Sequence, residues 1–194
     1  TLPKVDYKEH GVGMALAAFV DRYLTGALNG DIRLVNDVVD DCYGASENVL
    51  DVYFGLIANV QQRVGEMWHE GEIDIAQEHL STEITLNQME RLRARIPIPE
   101  MNGFSVSVTT VEGEAHFIGA RMIADLLQSV GWEVHYLGPE TPRHSLVEYV
   151  DKKNIDLVLL SFTRVEALSE LQETLSSLRR FDSSMPIIVG GAAS

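Results

Sequence analysis

The chain has 194 residues, 45% of them hydrophobic and 23% charged, a globular composition with room for one domain or two small ones. Its formal net charge of −14 opposes direct binding to nucleic acid phosphate or anionic lipid, and no apolar run approaches the roughly 20 residues of a membrane span. The single cysteine, Cys42, excludes an internal disulfide and suits a reducing cytoplasm; as a free thiol it reads first as a small buried side chain.

Everything before residue 100 reads as helix. Residues 7–28 carry apolar positions at Val12, Leu16, Phe19, Val20, Tyr23 and Leu24, and 31–43 form a shorter helix after Asn29-Gly30. Ser46 is the expected cap of a long helix running to Gly71, with Val49, Val52, Leu56, Val60, Val64 and Met67 at three- and four-residue steps. Asp74 and Gln77 resemble a capping box that opens a fourth helix ending near Ile96. The basic run RLRAR, 91–95, falls at that helix's C-terminus, where it complements the helix dipole. Four amphipathic helices with short connections imply a bundle over 1–96, and PIPEMNG, 97–103, reads as a linker.

From 104 to 194 the period alternates. SVSVTTV is a strand and 117–130 a helix; EVHYLG (133–138) is a strand, followed by a helix over 142–152 opened by Pro142. LVLLSF (157–162) is a strand, 165–180 a helix, and PIIVGG (186–191) a fourth strand. This order implies a parallel, doubly wound, Rossmann-like (flavodoxin-like) sheet, with ligands beyond the carboxyl ends of its strands. The sheet half stops at Ser194, directly after a strand, and so reads as truncated at its C-terminal end.

One residue in such a position is His116, in the loop after the first strand. Alone it reads as an ordinary loop histidine. Glu114, two residues earlier, is close enough to accept the other ring N–H, which would fix the tautomer and make the free nitrogen a better metal ligand. A closed structural site needs about four protein ligands. The sheet half offers only His135 and His144 as further imidazoles and no cysteine, so a metal here brings most of its own ligands, as the cobalt of a corrin does.

The run E-A-H-F-I-G (Glu114, His116, Phe117, Ile118, Gly119) resembles the D-x-H-x-x-G signature of cobalamin-binding domains, with Glu in place of Asp. Ser161-Phe-Thr163 and then Gly190-Gly191 follow at close to the family's spacing, and a helical bundle before the sheet domain is also a family trait. The resemblance implies that His116 is the lower axial cobalt ligand. It implies that Ser161 and Thr163 hydrogen-bond the displaced dimethylbenzimidazole tail, and that Gly190 and Gly191 keep the tail's slot open. The longer Glu114 side chain has to reach His116 from further away along the chain.

The helical half contains Trp68 followed, after nine residues, by Glu78-His79. Taken alone, these are a bundle-core tryptophan and a helix-start acid. With the lower motifs, the W-x9-E-H pattern resembles that of the CarH-like adenosylcobalamin photoreceptor domains. There the helical half covers the upper corrin face, Trp68 would press on the 5′-deoxyadenosyl group, and Glu78 and His79 would contact its sugar or base. His79 continues the stripe Ile75, Thr82, Leu86, Met89 and is expected to face inward. His69 matches the histidine that becomes the upper ligand after light breaks the cobalt–carbon bond.

The resemblance thus implies a sensory module without catalysis of its own, passing its signal to an output domain or a change of homo-oligomeric assembly. A few relatives also hold a linear tetrapyrrole, for which the bundle interior and Cys42 are the places to look. The alternative is a corrinoid carrier of methyl groups, as methylcobalamin, in a methyltransferase system.

Overall fold

The computed structural model describes residues 12–97 and 99–192, and the chain divides into two units, 1–96 and 97–194. The expected helical positions 7–11 lie outside the described residues, as do Ile98 of the expected linker and Ser194.

The helical unit contains α1 (Val12–Asn29), α2 (Ile32–Ser46) and a continuous third helix made of α3 (Val49–Asp51), a π-helical segment (Val52–Ile57) and α4 (Ala58–His69); α5 (Ile75–Arg93) completes it. Asp31 caps α2 by accepting from the Leu34 amide at 3.0 Å. α2 runs three residues past its expected end and stops where Glu47 turns left-handed, at φ 54°. Ser46 is therefore the last residue of α2 rather than the cap of the next helix. Its hydroxyl donates back to the Cys42 carbonyl at 3.4 Å, and Asn48 is the cap, accepting from the Leu50 amide at 2.9 Å. The Asp74–Gln77 capping box is complete, with the two reciprocal bonds at 2.9 and 3.1 Å.

The core of this unit is built from Tyr23, Val35, Val38, Val39, Val52, Tyr53, Leu56, Ile57, Val60, Val64, Ile84, Met89 and Leu92, all nearly or fully buried. Each such large side chain contributes about 1.5–3 kcal/mol by leaving water. The basic run does more than meet a dipole. Arg91 reaches Asn36 (2.7 Å) and Asp40 (3.1 Å) on α2, while Arg95 pairs with Asp40 at 2.5 Å and lies over the Tyr43 ring.

α5 corrects one expectation. Its buried face is Ser81, Ile84, Thr85, Gln88, Met89 and Leu92, half of it polar. That face is rotated away from the apolar stripe read from sequence, so Ile75 is 52% exposed and the His79 side chain 71% exposed. His79 does not face into the bundle.

The sheet unit has β1 (Ser105–Thr110), α6 (Ile118–Ser129), β2 (Glu133–Gly138), α7 (Arg143–Lys153), β3 (Leu157–Ser161), a 3-10 turn (Val165–Ala167), α8 (Leu168–Phe181) and β4 (Ile187–Gly190). All pairings are parallel and the order is β2-β1-β3-β4, the doubly wound Rossmann-like arrangement expected from the alternation. Val106 and Val108 meet Ala120 and Ala124 of α6 on one face. Val158 and Leu160 meet Leu146 and Val150 of α7 and Leu171 and Leu178 of α8 on the other. The strand order reverses between β1 and β3, which makes the carboxyl ends of these two strands the switch point of the sheet. Among the described residues no helix is long and apolar enough to cross a membrane.

Candidate functional site

The switch point gathers the polar groups of the sheet unit. Thr109 and Thr110 end β1, fully buried. The Thr109 hydroxyl bonds Gly138 O (2.8 Å) and Thr141 Oγ1 (2.7 Å), and the Thr110 hydroxyl accepts from the Glu140 amide (3.0 Å), so both stitch β1 to the loop after β2. The alternating run SVSVTTV breaks its alternation at this threonine pair, just before Val111, a signal for the site that the motifs alone did not single out.

His116 follows in the β1–α6 loop. Its Nδ1 lies 2.5 Å from Glu114 Oε1, and its backbone N–H donates to the same oxygen at 2.9 Å. The other carboxylate oxygen, Oε2, accepts from the backbone amides of Thr163 (2.7 Å) and Arg164 (2.9 Å) in the β3–α8 loop. Glu114 is fully buried. Burial pushes its carboxyl up, but the amides of His116 and Thr163, the His116 ring and the Arg164 amide outweigh it and hold the group below its ordinary range. A carboxylate only accepts, so Nδ1 carries the proton and the lone pair is on Nε2, on a side chain 57% exposed.

The lower-site motif residues align across the strands. Thr110 pairs with Ser161, and Ser161 with Gly190, so the three form one row over β1, β3 and β4. On the same side of the sheet as α6, Leu159 is half-buried and Ile188 is 52% exposed, so apolar side chains adjoin this row and are partly uncovered. A Cβ at Gly119 or Gly190 would meet nothing within 4 Å, so the protein's own packing does not require glycine at either. Gly191 differs from Gly190. Its φ is +123°, and a Cβ there would lie 2.0 Å from the Phe162 carbonyl oxygen, so the backbone itself requires glycine at 191. Phe117 and Ile118, half-buried, lead into α6, and Val165, 72% exposed, follows the two amides that hold Glu114.

The remaining predicted residues belong to the helical unit, at its α4–α5 turn. Trp68 and His69 end α4 and are exposed, Trp68 at 49%, which sets aside the reading of Trp68 as a core residue. Glu78, in the first turn of α5, accepts from the Thr82 hydroxyl at 3.0 Å and lies 3.6 Å from His79 Nε2. Cys42 lies on the buried face of α2, where burial, and then the charge of Asp51, push its thiol up.

At the switch point, then, the donor set is one exposed imidazole, oriented by a carboxylate already engaged with four donors. That fits a metal carrying its own equatorial ligands, with open space at Gly119 and Gly190 for a bulky group around it.

Comparison with known proteins agrees with this chemistry. Two models described as B12 binding domain match, one over residues 104–194 and one over 20–93. The chain is 27% identical over 141 residues to dimethylamine corrinoid protein 3 of Methanosarcina acetivorans, covering 71% of this chain and 66% of that protein. It is 29% identical over 161 residues to the HTH-type transcriptional repressor CarH of Myxococcus xanthus, covering 82% of this chain and 52% of the repressor. The chain thus spans just under two thirds of the first relative and about half of the second. The structure of the Methanosarcina barkeri monomethylamine corrinoid protein shares its fold, with a TM-score of 0.75 at 19% identity over 92% of this chain and 86% of that one. The helical unit thus matches one B12 binding domain model and the sheet unit another, and together they support a cobalamin-binding family for this chain.

Proposed function

We propose that this chain is an adenosylcobalamin-binding light-sensor module in which His116 is the lower axial ligand. The observation that carries the reading is the exposed His116 ring, its Nδ1 fixed by buried Glu114 and its Nε2 left to ligate, beside the row Thr110–Ser161–Gly190. Ser161 and Thr163 would bind the displaced nucleotide tail, and Gly190 would leave room for it. Trp68 would exclude water from the adenosyl group, and Glu78 and His79 would hydrogen-bond its sugar or base. Bound adenosylcobalamin supplies a cobalt–carbon bond that light breaks. Once that group is lost, Trp68 would be free to move and His69 would be the residue to offer a second imidazole. The helical unit repacks in response, and that change is passed to an output domain or to a new assembly state.

A second reading, a methylcobalamin carrier of a methyltransferase system, is favoured by the likeness to the dimethylamine corrinoid protein. The exposure of Trp68, beside His69 on the same helix end, favours the sensor, since a bulky cap suits a bulky upper group.

Absorption spectra of the chain loaded with adenosylcobalamin in darkness and after green light separate the two. The sensor reading expects a lasting light-induced change in the wild type and altered lower ligation in His116→Ala. Binding of methylcobalamin but not adenosylcobalamin, with methyl transfer to an added acceptor, would establish the carrier instead.

A further inference from the structure

Glu114 does more than face a histidine. Its Oε1 takes two donors from His116, the ring and the backbone N–H, while its Oε2 takes the amides of Thr163 and Arg164, some fifty residues further along the chain. We propose that Glu114 is a positioning residue that clamps the β1–α6 and β3–α8 loops together, so that the orientation of His116 and the placement of Thr163 and Val165 are set as one unit. The clamp is a property of the chain alone; its effect on cobalt ligation rests on the reading of His116 as lower ligand.

The length of the side chain is what makes the clamp. The backbone at 114 is itself tied down: its N–H donates to Val111 O at 3.1 Å and its carbonyl accepts from the Thr110 hydroxyl. From that fixed start, an aspartate carboxylate falls short by one carbon–carbon bond, ~1.5 Å, and can serve one loop but not both. Glu114 itself is fully buried, so leaving part of its hydrogen bonding unmade there is costly. Glutamine reaches as far but has one acceptor oxygen and one amide donor. With its oxygen toward the Thr163 and Arg164 amides, its NH2 faces Nδ1 and moves the ring proton to Nε2, the wrong atom for ligation. Turned the other way, it sets NH2 against two buried N–H groups.

The test has two arms on the full chain. Amide hydrogen exchange without corrinoid is compared for wild type, Glu114→Gln and Glu114→Asp. The clamp predicts that exchange at 163–164 rises roughly tenfold or more in both variants while the mid-strand amides of Val108 and Leu160 hold their protection. In the second arm, each protein is loaded with aquocobalamin and reduced to the cobalt(II) state, and its electron paramagnetic resonance spectrum is read for the nitrogen splitting of an axial imidazole. Wild type shows it, Glu114→Gln loses it, and Glu114→Asp shows a mixture. If Glu114→Gln does not fold, Glu114→Asp alone carries both arms. Unchanged exchange at 163–164 in the folded variants overturns the clamp. A wild type that binds no corrinoid overturns the proposed function instead and leaves the exchange arm to decide the clamp.

Discussion

In the helical unit a chain of polar side chains runs through the interior. The Tyr23 hydroxyl and Thr85 Oγ1 are 3.0 Å apart, Gln61 donates to the same threonine at 2.8 Å, and Gln88 donates to Asn36 at 3.0 Å. In the sheet unit both faces of the sheet pack against apolar clusters, and buried Thr109, Thr110 and Glu114 lie at the carboxyl end of β1. The contrast separates two uses of a buried polar group. In the bundle most of the buried polar side chains bond one another across α1, α2, the third helix and α5, with the Ser81 hydroxyl left without a partner among the described residues; in the sheet unit the buried groups at the end of β1 lie beside an exposed imidazole. A buried polar cluster therefore marks a site only when one of its members is left facing outward.

The largest effect that sharpens this contrast is at neighbouring glycines. Gly191→Ala combines a positive φ with a Cβ 2.0 Å from the Phe162 carbonyl, and should destabilise the sheet unit by about 3–4 kcal/mol or prevent its folding. Gly190→Ala meets open space and should move stability by less than about 0.5 kcal/mol while weakening corrinoid binding. Denaturant unfolding of the two variants, followed by titration with cobalamin, checks both halves.

Next is the polar chain of the bundle. Burial, only partly opposed by the Thr85 hydrogen bond, pushes the Tyr23 hydroxyl up to about 12 from an ordinary 10.0. The folded state holds this proton more tightly than the unfolded chain. Its contribution is therefore complete below about pH 10 and is lost as pH rises through about 12, on the order of 2–3 kcal/mol in all. Tyr23→Phe should flatten that alkaline loss. Unfolding midpoints across this pH window, with and without the substitution, measure it, and a slope unchanged by the substitution would assign the loss to other groups.

The smallest effect breaks the contrast at one point. Ser107, in mid-strand on β1, is fully buried and its hydroxyl has no hydrogen-bond partner. Ser107→Ala removes an unsatisfied group, so it should be neutral or stabilising by a few tenths of a kcal/mol. A clear destabilisation would mean that the hydroxyl has a bound water for a partner.

How far the sequence carried differs between the units for the same reason. In the sheet unit, the alternating SVSVTTV and the near-continuous apolar LVLLSF formed the strands expected of them, although Ser107, Thr109 and Thr110 are buried along with the valines, so strands, helices and parallel order were readable within a few residues. In the helical unit the buried face of α5 includes Ser81, Thr85 and Gln88, and hydrophobicity alone put the helix in the wrong phase, turning His79 inward. Ser46 was misread as a cap because it and Asn48 are both good cap residues two positions apart, and the left-handed Glu47 between them left no mark. At the site, the two-residue spacing of Glu114 and His116 was visible. The other half of the carboxylate's environment was not, because the Thr163 and Arg164 amides belong to the backbone and have no signature in residue type.

The π-helical segment Val52–Ile57 bears on where this chain tolerates a change of length. Val52, Leu56, Val60 and Val64 follow one another at steps of four, a spacing that drifts around a regular α-helix, and the wider winding, with the Ala58 amide reaching back to Tyr53 O, takes up the drift. Loss of one residue inside 52–57 would return the segment to α-winding and leave Trp68 and His69 on the side they now occupy. Loss of one residue between Ala58 and Met67 has no such reserve: everything after it turns by about 100°. Homologues one residue shorter in the first stretch would keep the Trp-His pair in position, and the second stretch is where length has to be held constant.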